Sequence, residues 1–274
     1  MHPLEGFFYV TTKIMVSGSF GLEVKATGFV FQYRLEEGYF LFLVTNKHVV
    51  ENIKSAGLRN IVVAFHEKET LVDGTQRPKP NEVQHEIENF VDEAILHDEE
   101  DIAIFPLNDL IDEQYFKMVS TDIIPTENVW MQLNPLEDLI FIGYPDGLYD
   151  TFNNLPIRRT GVTSTPLRHN YKGKERVLVE ASIFQGSSGS PVFIYKPSMS
   201  SDMDGIPHIG PRIYFIGVIS ELLQTVGQTR ENLHLGVVTR FKAITDLIKE
   251  KTEQDFFRIP PSPPADDGTL TLRS

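Results

Sequence analysis

Apolar residues run through the N-terminal part of the chain in short bursts, each closed by glycine or charged residues. Phe7 to Val16 is rich in β-forming residues, Ala26 to Tyr33 (ATGFVFQY) follows, and Tyr39 to Thr45 (YFLFLVT) is nearly continuous. Leu58 to His66 and Ile102 to Leu107 extend the series. Such runs between turn formers predict an antiparallel sheet or barrel. The acidic stretch Glu82 to Asp101 reads as a solvated loop or edge-strand face, and the alternation lapses over 108–126, the expected crossing between two halves. Strand runs resume at Leu139 to Gly143, Gly161 to Thr165, Arg176 to Ala181, Pro191 to Tyr195, Ile213 to Glu221 and Leu233 to Val238. Phe241, Ile244, Leu247 and Ile248 recur at helical spacing, so an amphipathic helix is expected over Thr239 to Lys251. The pattern predicts an all-β chain of two halves, 1–115 and 116–252, with a closing helix in the second. The tail, 253–274, contains IPPSPPADDGTLTLRS and is expected to be disordered.

Composition narrows the function. With 274 residues, 41% hydrophobic and 23% charged, the chain can bury a full core without disulfide or metal staples. It has no cysteine, which excludes disulfides, thiolate zinc sites and a cysteine nucleophile, and leads to the expectation of a reducing, cytoplasmic setting. The net charge of −13 repels phosphate backbones and anionic lipid, so neither nucleic acid nor membrane is expected as a partner. No apolar run is long enough for a membrane helix, and the start lacks the basic-then-apolar order of a secretory leader.

Three segments carry candidate chemistry: VTNKHVV with His48, HDEEDIAIF with Asp101, and FQGSSGSPVF with Ser188. Taken singly each has a bland reading: an incidental loop histidine, a strand-entry aspartate, a flexible linker. The GSSGS string lies between apolar strands and runs into Pro191, which argues for a turn held within the fold. Ser188 needs a base to become a nucleophile, and an imidazole such as His48 has a suitable pKa. Asp101 would fix the imidazole tautomer and stabilise the imidazolium as it forms. Gly186 allows a turn in which its own N–H and that of Ser188 converge as an oxyanion hole, and Gly189 leaves room beside the nucleophile. The chain order His, Asp, Ser opposes an α/β-hydrolase elbow, which wants glycine where Ser190 stands and its histidine downstream, as His208 or His234 would be.

Other groups weigh less. His97, Asp98, Glu99 and Glu100 form either a metal cluster or, the better reading, an exposed acidic turn. Arg158 and Arg159 read as solvated strand-edge residues rather than a grip for an acidic substrate, Trp130 as core, and PPSPP as a disordered end rather than a docking motif. No metal or cofactor is expected.

These motifs resemble those of trypsin-like (chymotrypsin-fold) serine peptidases, nearest the bacterial HtrA and V8-like branch. Further similarity lies in TGFVF, IGYPDG at 142–147, TGVTS at 160–164, FIGVIS at 215–220 and LGVV at 235–238, and it spans about residues 8–250. The resemblance implies two six-stranded β-barrels with the site between them, His48 and Asp101 on the first and Ser188 on the second. It implies a serine endopeptidase acting on polypeptides, with Ser182 at the base of the specificity pocket and Ser220, Glu221 and Leu222 along its edge. The residue before the nucleophile is Ser187 rather than aspartate, so activation by a newly cut N-terminus is not expected, and neither is a PDZ domain. A gating protein partner is expected instead. The alternative from another class is a catalytically silent protein-binding module on the same fold; a third is esterase or acyl-transfer chemistry at the same site.

Overall fold

The computed structural model describes residues 3–19, 21–107, 114–197, 199–201, 207–224 and 232–253. The Pro-rich tail and positions 108–113 of the expected crossing lie outside the described residues. A 3-10 turn (Pro3–Tyr9) leads into β1 (Thr11–Gly18), β2 (Gly21–Leu35), β3 (Gly38–Thr45), α1 (Lys47–Ser55), β4 (Ile61–Thr70) and β5 (Gln76–Ile87). Then follow α2 (Phe90–Glu93), β6 (Ile95–Leu96), β7 (Ala103–Pro106), β8 (Gln114–Tyr115) and β9 (Val119–Ser120). The second half comprises α3 (Glu127–Gln132), β10 (Asp138–Gly143), β11 (Ile157–Thr163), β12 (Arg176–Ala181), β13 (Pro191–Lys196), β14 (Met199–Ser201), β15 (Pro207–Ile209), β16 (Arg212–Gln224), β17 (Asn232–Arg240) and α4 (Phe241–Glu253).

The molecule is mostly β, and its second half is a closed barrel of six strands in the order β10-β11-β12-β17-β16-β13. The first half departs from the expected closed six-stranded barrel. Its strands run β5-β4-β1-β2-β3-β7-β6, with β8 on β4 and β9 on β2, and the ladder does not close. Closure would need β6 against β5, but β6 has two residues and the turn of α2 occupies the seam. There Phe90 and Val91 are buried, and the Val91 N–H bonds to the Arg59 carbonyl at 3.1 Å. The pairing of β8 and β9 carries the first-half sheet on to Ser120.

One other expectation is corrected. Phe7 to Tyr9 is a 3-10 turn rather than the start of a strand, because Phe7 is drawn under the second barrel, its ring 4.9 Å from that of Phe193. Glu82 to Ile87 takes the edge-strand form of its two readings, as the end of β5 at the margin of the sheet with a largely exposed face. Each half has its own apolar interior. A third cluster joins them: Phe29 and Phe31 from β2 meet Phe215 from β16 at 5.6 and 6.0 Å, with Ile244, Leu247 and Ile248 of α4 packed in the same body.

Candidate active site

The site lies where α1, the turn before β7 and the turn before β13 meet. The sequence Asn46 to Gly57 carries a helix between an Asn cap position and a glycine in the left-handed region (φ +78°), burying Val49, Val50 and Ile53. The Asn46 side chain does not cap it; its Nδ2 donates to the Asp101 carbonyl at 2.8 Å. The exposed helix donor is met instead by Asp101, whose Oδ1 accepts the His48 N–H at 2.9 Å. The other carboxylate oxygen, Oδ2, lies 2.7 Å from His48 Nδ1. A carboxylate only accepts, so Nδ1 carries a hydrogen, and Nε2 lies 3.1 Å from Ser188 Oγ.

The turn that presents Asp101 is itself built. His97 Nδ1 accepts from the N–H groups of Glu99 and Glu100, each at 3.1 Å, and the carbonyls of His97 and Asp98 accept from Lys47 Nζ. The expectation of a wholly exposed acidic turn is corrected at Glu100. That side chain is buried and accepts from Arg176 Nε of β12 at 2.6 Å, tying the two halves together behind Asp101. Among the described residues no group of His, Asp and Glu is arranged to hold a metal ion.

On the second half, Gly186 (φ +80°) and Gly189 (φ +87°) fold the nucleophile turn. A β-carbon at 186 would lie 2.4 Å from the Tyr144 carbonyl, and one at 189 would lie 1.9 Å from the Thr27 carbonyl, so both positions require glycine. Ser187, buried, spends its polar groups locally: its N–H reaches the Phe184 carbonyl at 3.1 Å and its Oγ accepts the Phe184 N–H at 3.4 Å. The N–H groups of Gly186 and Ser188 have no hydrogen-bond acceptor among the described residues.

The pocket residues do not all fall where expected. Ser182 is exposed and lines a shallow groove of about 770 Å³ with Asp138, Arg158, Glu180 and His234, on the outer side of β10–β12. Strand alternation explains the correction: Ala181 is buried in the barrel, Ser182 turns out, and Ile183 turns back in. Ile183 is buried, and its Cδ1 would lie 1.9 Å from a β-carbon at Gly236 of β17. The sequence reading overlooked Ile183; the in–out period from Ala181 was the signal that marked it. Ser220 sits at a bulge, its hydroxyl donating to the Val237 carbonyl at 3.1 Å, while Glu221 is exposed and Leu222 half-buried. Beyond Val218 the β13 ladder ends, so from Ser220 onward β16 has one edge without a neighbouring strand among the described residues. On the other side of His48 lies an apolar recess of about 320 Å³, lined by Val16, Val49, Ile53, Leu58 and the stem of Lys25. Arg159 lies over the Phe184 ring at 4.6 Å, and Trp130 packs edge-on against Phe241.

Residues 26–196, more than half of the chain, match the family model described as "Trypsin-like peptidase domain". No curated protein sequence matches. Among solved structures, a clip serine protease of the Toll pathway from drosophila, Grass, superposes with a TM-score of 0.52 at 15% identity, over 89% of this chain and 70% of that one. That likeness supports a chymotrypsin-like fold.

Proposed function

The chain belongs to the trypsin-like peptidase domain family, and from that premise we propose that it is a serine endopeptidase acting through His48, Asp101 and Ser188. The observation that carries the proposal is the relay of contacts, Asp101 Oδ2 to His48 Nδ1 at 2.7 Å and His48 Nε2 to Ser188 Oγ at 3.1 Å. In the first step His48 Nε2 takes the Ser188 proton as Oγ bonds to the scissile carbonyl carbon. Asp101 stabilises the imidazolium. The carbonyl π pair moves onto oxygen, which the N–H groups of Gly186 and Ser188 would receive, each such donor being worth about 3–4 kcal/mol. The imidazolium then protonates the leaving amine, an acyl-serine forms, and water attacks it by the same route in reverse.

The substrate strand is proposed to lie along the free edge of β16 from Ser220, with the side chain before the cut facing Ile183 and Leu222. An uncharged floor costs several kcal/mol to any unpaired Lys, Arg or Glu buried there, so cleavage is proposed after small or medium apolar residues. The recess beside His48 offers apolar room beyond the cut. Within the family, the order and wording of the motifs support the HtrA and V8-like branch. The local hydrogen bonds of Ser187 support activity independent of a newly cut N-terminus. A cytoplasmic setting with a gating protein partner is part of the same reading, supported by the lack of cysteine.

The test is labelling of the folded chain with a fluorophosphonate, together with cleavage of a peptide library. Modification at Ser188 and cutting after Ala, Val or Leu are expected. No labelling at Ser188 would favour the silent binding module; labelling with turnover of esters but not peptides would favour the acyl-transfer reading.

A further inference from the structure

The two peptide planes on either side of Gly186 decide whether its N–H points towards the nucleophile, and glycine itself offers little resistance to their turning. The first plane is held by Asp146, whose N–H donates to the Gln185 carbonyl at 2.5 Å. Since a trans peptide sets C=O and N–H on opposite sides, this bond directs the Gly186 N–H away from Asp146. The second plane is held by Thr27 Oγ1, which donates to the Gly186 carbonyl at 2.9 Å. The same hydroxyl oxygen accepts the Tyr144 N–H at 3.1 Å and so also fixes the turn that carries Asp146. The Thr27 N–H bonds to the Ser188 carbonyl at 2.9 Å, and the Thr27 carbonyl is held by Thr45 Oγ1 at 2.9 Å. Thr27 is fully buried on β2, so its hydroxyl has no water to exchange with.

We propose that Thr27, a residue of the first half, is the positioning residue of the oxyanion loop, its single hydroxyl fixing both the peptide after Gly186 and the turn that fixes the peptide before it. The proposal rests on the peptidase reading and adds a residue that touches no substrate.

The experiment measures inactivation of the full chain by a fluorophosphonate, separating the maximal rate of inactivation from the half-saturating concentration. Thr27→Val keeps the shape and removes the hydroxyl. Its maximal rate is expected to fall about 10- to 100-fold, less than the loss of an oxyanion donor itself, with half-saturation within about twofold. Thr27→Ser keeps the hydroxyl and is expected within about threefold of the parent rate. A general packing role would make Ser as slow as Val, or move half-saturation as much as rate, and either result overturns the proposal. So does a Val variant that reacts like the parent. If the Val variant does not fold, Thr27→Ala against Thr27→Ser carries the same comparison: a slow Ala with a fast Ser supports the proposal, and equal rates overturn it. A parent chain that is not labelled at Ser188 at all overturns the peptidase reading and this inference with it, whereas a labelled parent with an equally fast Val variant overturns this inference alone.

Discussion

Asp101 does two things with two oxygens: one orients the imidazole, the other satisfies a donor at the start of the helix that carries it. Asp101→Asn puts an amide where two N–H groups now point, so one of them loses its acceptor and the imidazole is driven to the wrong tautomer. kcat is expected to fall by about 10⁴, with stability lowered by only about 1 kcal/mol, the scale of a lost helix cap. Steady-state kinetics and a melting curve on the same variant check both numbers. Asp98→Asn, which bears on the site only through its backbone carbonyl, is expected to keep parental turnover. Ile183 makes a second prediction at this scale. Its tip lies against Gly236, so with the side chain before the cut facing it as proposed, Ile183→Ala is expected to raise kcat/KM for Leu or Phe before the cut, relative to Ala, by roughly tenfold. A library cleavage profile that is unchanged in this variant would remove Ile183 from the pocket.

Between β10 and β11 the chain loops across to the first half, and the anchor there is polar. Lys13 of β1, buried, contacts Glu82 and Asn154 and lies 3.9 Å from the Tyr149 ring, while His66 of β4 reaches the Asn153 carbonyl at 3.1 Å through Nε2. Burial pushes the His66 pKa down, the Lys13 ammonium adds to this, and the bond to Asn153 and the nearby Glu82 oppose it. A histidine depressed in the folded state is protonated more readily when unfolded. Its contribution is therefore complete above the ordinary value of about 6.5 and is lost as pH falls through it. The melting temperature is expected to drop between neutral pH and about pH 5, and to drop less in His66→Gln. Elements differ in how much of this the sequence revealed. Tyr39 to Thr45 and Arg176 to Ala181 emerge within two residues of their expected bounds, whereas β2 and β11 begin four or five residues earlier than their apolar runs. The terminal helix is shifted two residues. β5 was marked only from Glu82, and there as loop or edge strand, because QRPKPNEVQHEI has an exposed face and two prolines; α1 was hidden because a nine-residue helix shows little more than two turns of periodicity. Motif and order singled out His48, Asp101 and Ser188, and the fold brings these three into contact. Thr27 was not marked, because the groups it holds, the carbonyls of Gly186 and Ser188, belong to the other half.

At the scale of the whole molecule, the seam of Phe7, Phe29, Phe31, Phe193 and Phe215 ties the two sheets into one body. Phe215, fully buried and touching rings from both halves, is its centre. Phe215→Ala is expected to cost about 3–5 kcal/mol in chemical denaturation, in a single transition reported alike by tyrosine fluorescence and by loss of turnover. Two transitions, one per half, would show that the seam does not couple them. Because the proposed base and nucleophile stand on opposite banks of that seam, synthesis has an order to it. A growing chain displays its histidine and aspartate long before its serine exists, and the barrel holding the serine lacks its last strand until Arg240 has been added. A chain that stops short of Arg240 is therefore expected to lack whatever activity the proposed triad has, because the sheet behind its serine is still open.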